Sequence, residues 1–144
     1  MTNKMTLELI ALPENEAFVR TVIAAFAVQC DPTVDMLNDI KTAVSEAITN
    51  CVVHAYPGEE KGLITVTASI SDKILTLNIT DYGKGIENVA KALEDFYTTK
   101  EAEERSGLGF TIMKSFMDEL LVTSTYGAGT TVTMIKNLSA DVNC

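Results

Sequence analysis

From Thr33 to Tyr56 apolar side chains recur every three or four residues, through Met36, Leu37, Ile40, Ala43, Val44, Ala47, Ile48, Cys51, Val52 and Ala55. That period predicts one long helix with a sustained apolar stripe, stopped by Pro57-Gly58. Such a stripe is stable only when a second layer covers it, so the other segments are read for what can do so.

Leu7, Leu9 and Ala11 alternate with Glu8 and Ile10, which predicts a short opening strand. Pro13 suits the first turn of a helix, where its missing N–H costs nothing. That helix carries Phe18, Val22, Phe26 and Cys30 at spacing four, with Val19 and Ile23 beside them, and ends at Asp31-Pro32. Glu16 and Arg20 lie elsewhere around its circumference. Residues 63–70 and 74–80 are rich in β-branched side chains and flank Ser71-Asp72-Lys73, an antiparallel hairpin pattern. A Gly-rich, polar, lid-like stretch covers 81–105, and a third helix is expected over 109–120. Residues 121–125 and 131–135, joined by Tyr126-Gly127-Ala128-Gly129, make a final hairpin.

This order predicts an α+β sandwich, with the helices packed on one face of a mixed, mainly antiparallel sheet. No repeat or linker interrupts it, so residues 1–144 are expected to form a single domain, with 137–144 as a flexible tail. A chain of 144 residues, 47% hydrophobic, supplies one core and one site without metal or disulfide staples.

The net charge is −9, from 20 acidic against 11 basic residues, with no basic run to follow a phosphate backbone. Direct nucleic-acid binding and anionic-membrane binding are therefore not expected. Any anionic ligand must be held by a few placed cations and backbone N–H groups, and only two arginines, Arg20 and Arg105, are present. Cys30, Cys51 and Cys144 are odd in number and widely spaced, and the opening residues lack a basic n-region and a long apolar stretch, so a reduced, cytoplasmic protein is expected. No apolar run approaches the roughly 18 to 20 residues of a membrane helix. One histidine and no CxxC exclude a structural zinc site.

Three local patterns depart from plain architecture. Glu46 and Asn50 stand four apart on the long helix and project from one face, with Thr42, Thr49 and His54 extending the polar patch. By itself this is as well a solvated helix face. Asp81-Tyr82-Gly83-Lys84-Gly85 follows a strongly β segment, which fits either a turn or a carboxylate at a strand end beside a closely approached backbone. Ser106-Gly107-Leu108-Gly109-Phe110 precedes the third helix, as a flexible loop or as an anion site at a helix N-terminus, with Lys100 and Arg105 just upstream. P-loop and eukaryotic-type kinase signatures are missing, as is the βαβ context of a dinucleotide site.

In this order, E-x-x-x-N, D-x-G-x-G and S-G-x-G-x-T resemble the N, G1 and G2 boxes of the GHKL ATPases, from the opening strand to Ile135. That superfamily includes gyrase-type, heat-shock and mismatch-repair ATPases, histidine kinases, and a branch of serine kinases that inhibit sigma factors. The stretches LELIALPENEAFVR, KTAVSEAITNCVVHAY and ERSGLGFTIMKSFMDEL look like that last branch. The chain is similar to it also in having neither a phosphoacceptor helix nor a transducer domain.

The resemblance implies a Bergerat-type ATP-binding fold with a movable lid, a homodimer, inhibition of a sigma factor, and phosphorylation of a serine on an anti-anti-sigma partner. ATP and Mg²⁺ would be the cofactors. In those terms Asn50 offers Mg²⁺ a neutral oxygen, and Glu46 takes or orients the proton of an incoming hydroxyl. Asp81 accepts from the adenine amine, while Gly83 and Gly85 admit the base. Ser106, Gly107, Leu108 and Gly109 cradle the phosphates, and Arg105 meets the γ-phosphate from the lid. Thr130 resembles the family's additional adenine-side contact. Thr98-Thr99-Lys100 fits either a nucleotide contact or a plain polar lid. His54 reads as structural, and the methionines as core filling.

Glu16 and Arg20 fit either a surface ion pair or a docking site for the protein partners. A switch kinase that holds no sigma factor shares these motifs. A nucleotide-gated binding module would have no need of Glu46 as a base.

Overall fold

A computed structural model of the protein describes residues 2–94 and 103–139, with side chains described for 2–94 and 109–139. Five strands form one sheet in the order β1-β2-β3-β5-β4: β1 Thr2–Ile10, β2 Leu63–Ser71, β3 Ile74–Asp81, β4 Glu119–Thr125 and β5 Gly129–Asn137. Every ladder is antiparallel, where a mixed sheet was expected. Asp72 and Lys73, with φ of 52° and 62°, close the β2–β3 hairpin in the left-handed conformation that matches strand twist.

Alternation sorts the strands into two faces. Ile64, Val66, Ala68 and Ile70 of β2, Leu75, Leu77 and Ile79 of β3, and Val132 and Met134 of β5 are buried and belong to one core cluster with the helices. Threonines and other polar side chains take the opposite face, where Asn78 donates to Thr67 Oγ1 over 3.2 Å and accepts from Thr133 Oγ1 over 2.6 Å. The helix layer therefore lies on one side of the sheet, as the period-2 pattern requires.

Helix α1 runs from Glu14 to Ala27 behind Pro13, and a 3₁₀ turn, Val28–Cys30, ends at Asp31 with φ 56°. Its seam is Val19, Ile23, Ala27 and Cys30, while Phe18 is 52% exposed. The expected Phe18-Val22-Phe26 stripe is thus displaced. Spacing four drifts about 40° per step around a helix of 3.6 residues per turn, so Phe18 has rotated out of a seam that Cys30 still joins.

Helix α2 spans Val34–Thr49 and is capped by Thr33, whose Oγ1 accepts from the Met36 N–H over 3.1 Å. The predicted helix continues to Ala55, but Asn50–Ala55 widens to a π-helical turn. A four-residue helix α3, Val89–Ala92, precedes α4, Glu103–Phe116. Helix α2 packs between α1 and α4. Lys136, inward-facing on β5, donates to the Phe116 carbonyl over 2.6 Å and lies 3.5 Å from Asp39, tying the C-terminal end of α4 to α2 and the sheet.

Two boundaries differ from expectation. Helix α4 begins at Glu103, so Ser106 to Gly109 lie inside it rather than before it, and Gly109 is not at a helix N-terminus. A helix propagates through a glycine at about 1 kcal/mol, which Glu103, Glu104 and Arg105 ahead of it help offset as good helix formers. The tail expected from residue 137 is also shortened, because Leu138 is fully buried and its N–H donates to Lys73 O over 2.8 Å. Residues 140–144 lie outside the described residues.

Candidate functional site

Helical spacing brings Glu46 and Asn50 to the same side of α2, at the point where the α-helix gives way to the π turn. Helix α4 crosses there. A Cβ placed on Gly109 would stand 3.4 Å from Asn50 Oδ1 and 3.5 Å from both Asn50 Nδ2 and Glu46 Oε1. The bare backbone of α4 therefore lies directly over the carboxylate and the amide, and a larger residue would cover them. Thr42 does not join this group, because its hydroxyl donates to Asn38 O over 3.0 Å.

Asp81 ends β3 in the same inward row as Leu75, Leu77 and Ile79, and is 7% exposed. Its Oδ1 accepts from the Gly83 N–H over 3.0 Å, the Thr130 N–H also donates to it, and Cys51 Sγ lies 3.8 Å from Oδ2. Burial raises its pKa from the ordinary 3.8, against the lowering effect of those three donors. Burial, together with the Asp81 charge, pushes the Cys51 thiol up, so it stays a protonated donor. The result is a buried acceptor at the edge of the core, in contact with Cys51, the residue that follows Asn50.

The loop after Asp81 is held by backbone contacts. A Cβ on Gly83 would run into the Ala55 carbonyl, which also accepts from the Lys84 N–H over 3.2 Å. Gly85, at φ 76°, has no room for a side chain against the Thr125 carbonyl. The Tyr56 hydroxyl accepts from the Tyr82 N–H over 2.7 Å and donates to Leu63 O over 2.8 Å. Lys61 donates to Val52 O over 2.9 Å and to Tyr56 O, closing the carbonyl end of the π turn. The π turn and the D-x-G-x-G loop thus form one backbone unit.

Thr130 pairs with Asp81 across the β3–β5 ladder and is 8% exposed, so these two predicted residues meet. Thr99 and Lys100 lie outside the described residues. Gly107 and the backbones of Arg105, Ser106 and Leu108 belong to α4, but the side chains of those three are not among the described ones. Glu16 and Arg20 stand apart from this group. Arg20 Nη1 donates to Glu16 Oε2 over 2.8 Å and to Ser45 Oγ of α2 over 3.1 Å, so the pair flanks the α1–α2 seam rather than standing clear of it.

Sequence reasoning missed Cys51 and Ser124. In the sequence Cys51 reads only as one more member of the apolar stripe. Ser124 accepts from the Ile86 N–H over 2.8 Å and bonds Thr130 Oγ1 over 2.8 Å. Its signal was present, since it is the polar member of an inward row that begins with Leu120 and Val122.

A family model described as histidine kinase-like ATPase domain matches residues 9–136. An anti-sigma F factor from Thermoanaerobacter sp. (strain X514) is 51% identical over 140 residues, covering 97% of each chain. That of Caldanaerobacter subterraneus subsp. tengcongensis is 54% identical over 134 residues, covering 93% of each. Among solved structures, the RsbU and RsbW domains of a Mycobacterium tuberculosis protein share the fold with a TM-score of 0.68 at 21% identity, over 94% of this chain and 32% of that one. The Erythrobacter litoralis EL346 blue-light activated histidine kinase gives 0.61 at 23% identity, over 88% of this chain and 42% of the other. No helix among the described residues is long and apolar enough to cross a membrane.

Proposed function

The chain belongs to the anti-sigma F factor family, an ATP-using, kinase-type branch of the histidine kinase-like ATPase domains, and we propose that it holds a sigma factor and phosphorylates a serine of an anti-anti-sigma partner with Mg-ATP. The observation that carries this reading is the meeting of Glu46 and Asn50 with the bare backbone of Gly109, a carboxylate and an amide under a surface without side chains.

The residues fit the group. Asp81 offers a buried acceptor for the adenine amine, and Thr130 flanks it. Asn50 would hold Mg²⁺, which supplies charge neutralisation for the triphosphate and takes most of its ligands from phosphate and water. Arg105, Ser106, Gly107 and Leu108, with Thr99 and Lys100 upstream, would hold the phosphates from the lid side. As the partner's serine oxygen bonds to the γ-phosphorus, the bond to the β–γ bridging oxygen breaks and ADP leaves. Glu46 receives the hydroxyl proton in that step.

Arg20, fixed by Glu16 and Ser45 on the rim of the α1–α2 seam, presents a pre-ordered guanidinium in an acidic chain. Such a group suits the carboxylates of a protein partner, and sigma factor and anti-anti-sigma protein would compete for it. A cytoplasmic homodimer completes the reading, which sedimentation tests directly.

The experiment is transfer of labelled γ-phosphate to the anti-anti-sigma partner. Glu46→Gln should slow transfer by about 10²- to 10⁴-fold while Mg-ATP still binds. Transfer at the normal rate by that variant would remove Glu46 from the mechanism. Label on threonine or histidine in place of serine would remove the serine assignment.

A further inference from the structure

Ser124 stands on β4 beside the turn that leads into Gly129 and Thr130, and its single hydroxyl meets three groups. The Ile86 N–H, at the end of the D-x-G-x-G loop, donates to Ser124 Oγ over 2.8 Å. Ser124 Oγ donates to the Gly129 carbonyl over 2.9 Å, and it lies 2.8 Å from Thr130 Oγ1.

A serine hydroxyl has one proton and two acceptor lone pairs. With the proton on the Gly129 carbonyl, the lone pairs take the Ile86 N–H and the Thr130 O–H, and all four groups are bonded. In the opposite sense Ser124 donates to Thr130, and its bond to Gly129 is lost. Partly buried polar groups settle into the arrangement that satisfies most of them. Thr130 Oγ1 is then left with lone pairs and no proton for a ligand.

We propose that Ser124 is a positioning residue that sets base specificity: it holds the Thr130 hydroxyl as an acceptor, so that Asp81 and Thr130 together take a 6-amino purine and reject a 6-oxo purine. This rests on the reading that both residues face the base. An exocyclic amine carries two N–H donors, one for each acceptor, whereas a carbonyl oxygen sets lone pairs against lone pairs. Removing the Ser124 hydroxyl frees the Thr130 proton to turn toward a 6-oxo group.

The test is calorimetric affinity of the full chain for Mg-ATP and for Mg-inosine triphosphate, which has the oxygen in place of the amine. Tripolyphosphate serves as a probe of the phosphate contacts alone. Ser124→Ala should weaken ATP, strengthen the inosine nucleotide, and lower the ratio of the two affinities by about tenfold, with tripolyphosphate unchanged. Ser124→Thr, which keeps the hydroxyl, should restore the ratio.

If Ser124→Ala weakens both nucleotides equally, Ser124 only anchors the Ile86 loop and the proposal is overturned. A ratio unmoved by Ser124→Ala but changed by Thr130→Val overturns the proposal and leaves the base site standing, while a ratio unmoved by both overturns the two together. Should Ser124→Ala melt below the assay temperature, Ser124→Cys, with its weak donor, is read in the same way.

Discussion

The inward row of β3 runs Leu75, Leu77, Ile79, Asp81, a single alternation that crosses two regions of different kind. Over the first three positions every side chain is fully or almost fully buried among aliphatic neighbours from the helices and adjoining strands. At the fourth, the same pleat carries a carboxylate into the edge of the core, where three donors only partly offset its desolvation. Around it the chain also departs from regular geometry, with a π turn at Asn50–Ala55 and a positive-φ glycine at Gly85. The aliphatic region is what folding alone favours. The polar region is held in place by that scaffold and costs stability, which is the expected signature of a position kept for a ligand.

Truncation should separate the two regions most sharply. Leu77→Ala, in the aliphatic region, should destabilise the fold by about 2 to 5 kcal/mol in denaturant unfolding, through lost burial and the cavity left behind. Nucleotide affinity measured well below the melting point should stay near that of the unaltered chain. A similar loss of stability on truncating Asp81 would erase the distinction.

Gly109→Ala should act in the reverse sense. Alanine favours a helix over glycine by about 1 kcal/mol, and its Cβ at 3.4 to 3.5 Å from Asn50 and Glu46 is in ordinary contact, so unfolding should become harder. The same methyl covers the amide and the carboxylate, so ATP binding should weaken. A variant that is both more stable and fully active would show that nothing needs access there.

A subtler difference lies in pH dependence. The folded-state pKa of Asp81 is raised, so ionisation opposes folding. Its protonated form supports the fold fully below the ordinary value of 3.8, and this contribution is lost as pH rises through the raised folded value. The melting temperature of Asp81→Asn relative to the unaltered chain should therefore climb across that window and then level off. A difference that is flat with pH would mean that Asp81 carries no desolvation cost.

Much of this was legible in the sequence, for physical reasons particular to each element. The β-branched runs at 63–70 and 74–80 marked β2 and β3 as a hairpin, and the structure sorts them by alternation into two faces, since a slip of one residue would expose the entire aliphatic row. The same rule made Ser124 findable. The seam of α1 was misplaced because the run chosen starts at Phe18, about 100° around the helix from Val19, whereas Val19, Ile23, Ala27 and Cys30 fall within an arc of roughly 80°. The π turn was hidden, since Cys51, Val52 and Ala55 continue the α-helical pattern without a break. The start of α4 was missed because Gly107 and Gly109 read locally as a loop, and only tertiary packing of α4 on α2 carries the helix through them. The contact between Cys51 and Asp81 joins residues 30 apart in the chain and follows from packing alone.

On the proposed reading, the polar end of this sheet is a Mg-nucleotide site built around the amide and carboxylate beneath Gly109. Calorimetric titration of Mg-ATP into the unaltered chain and into Asn50→Ala tests it most directly. We expect saturable binding by the unaltered chain and loss of the Mg²⁺-dependent part of that affinity in the variant, with the fold intact by circular dichroism. Equal Mg-ATP affinity in the two proteins would show that Asn50 holds no metal and that the nucleotide lies elsewhere.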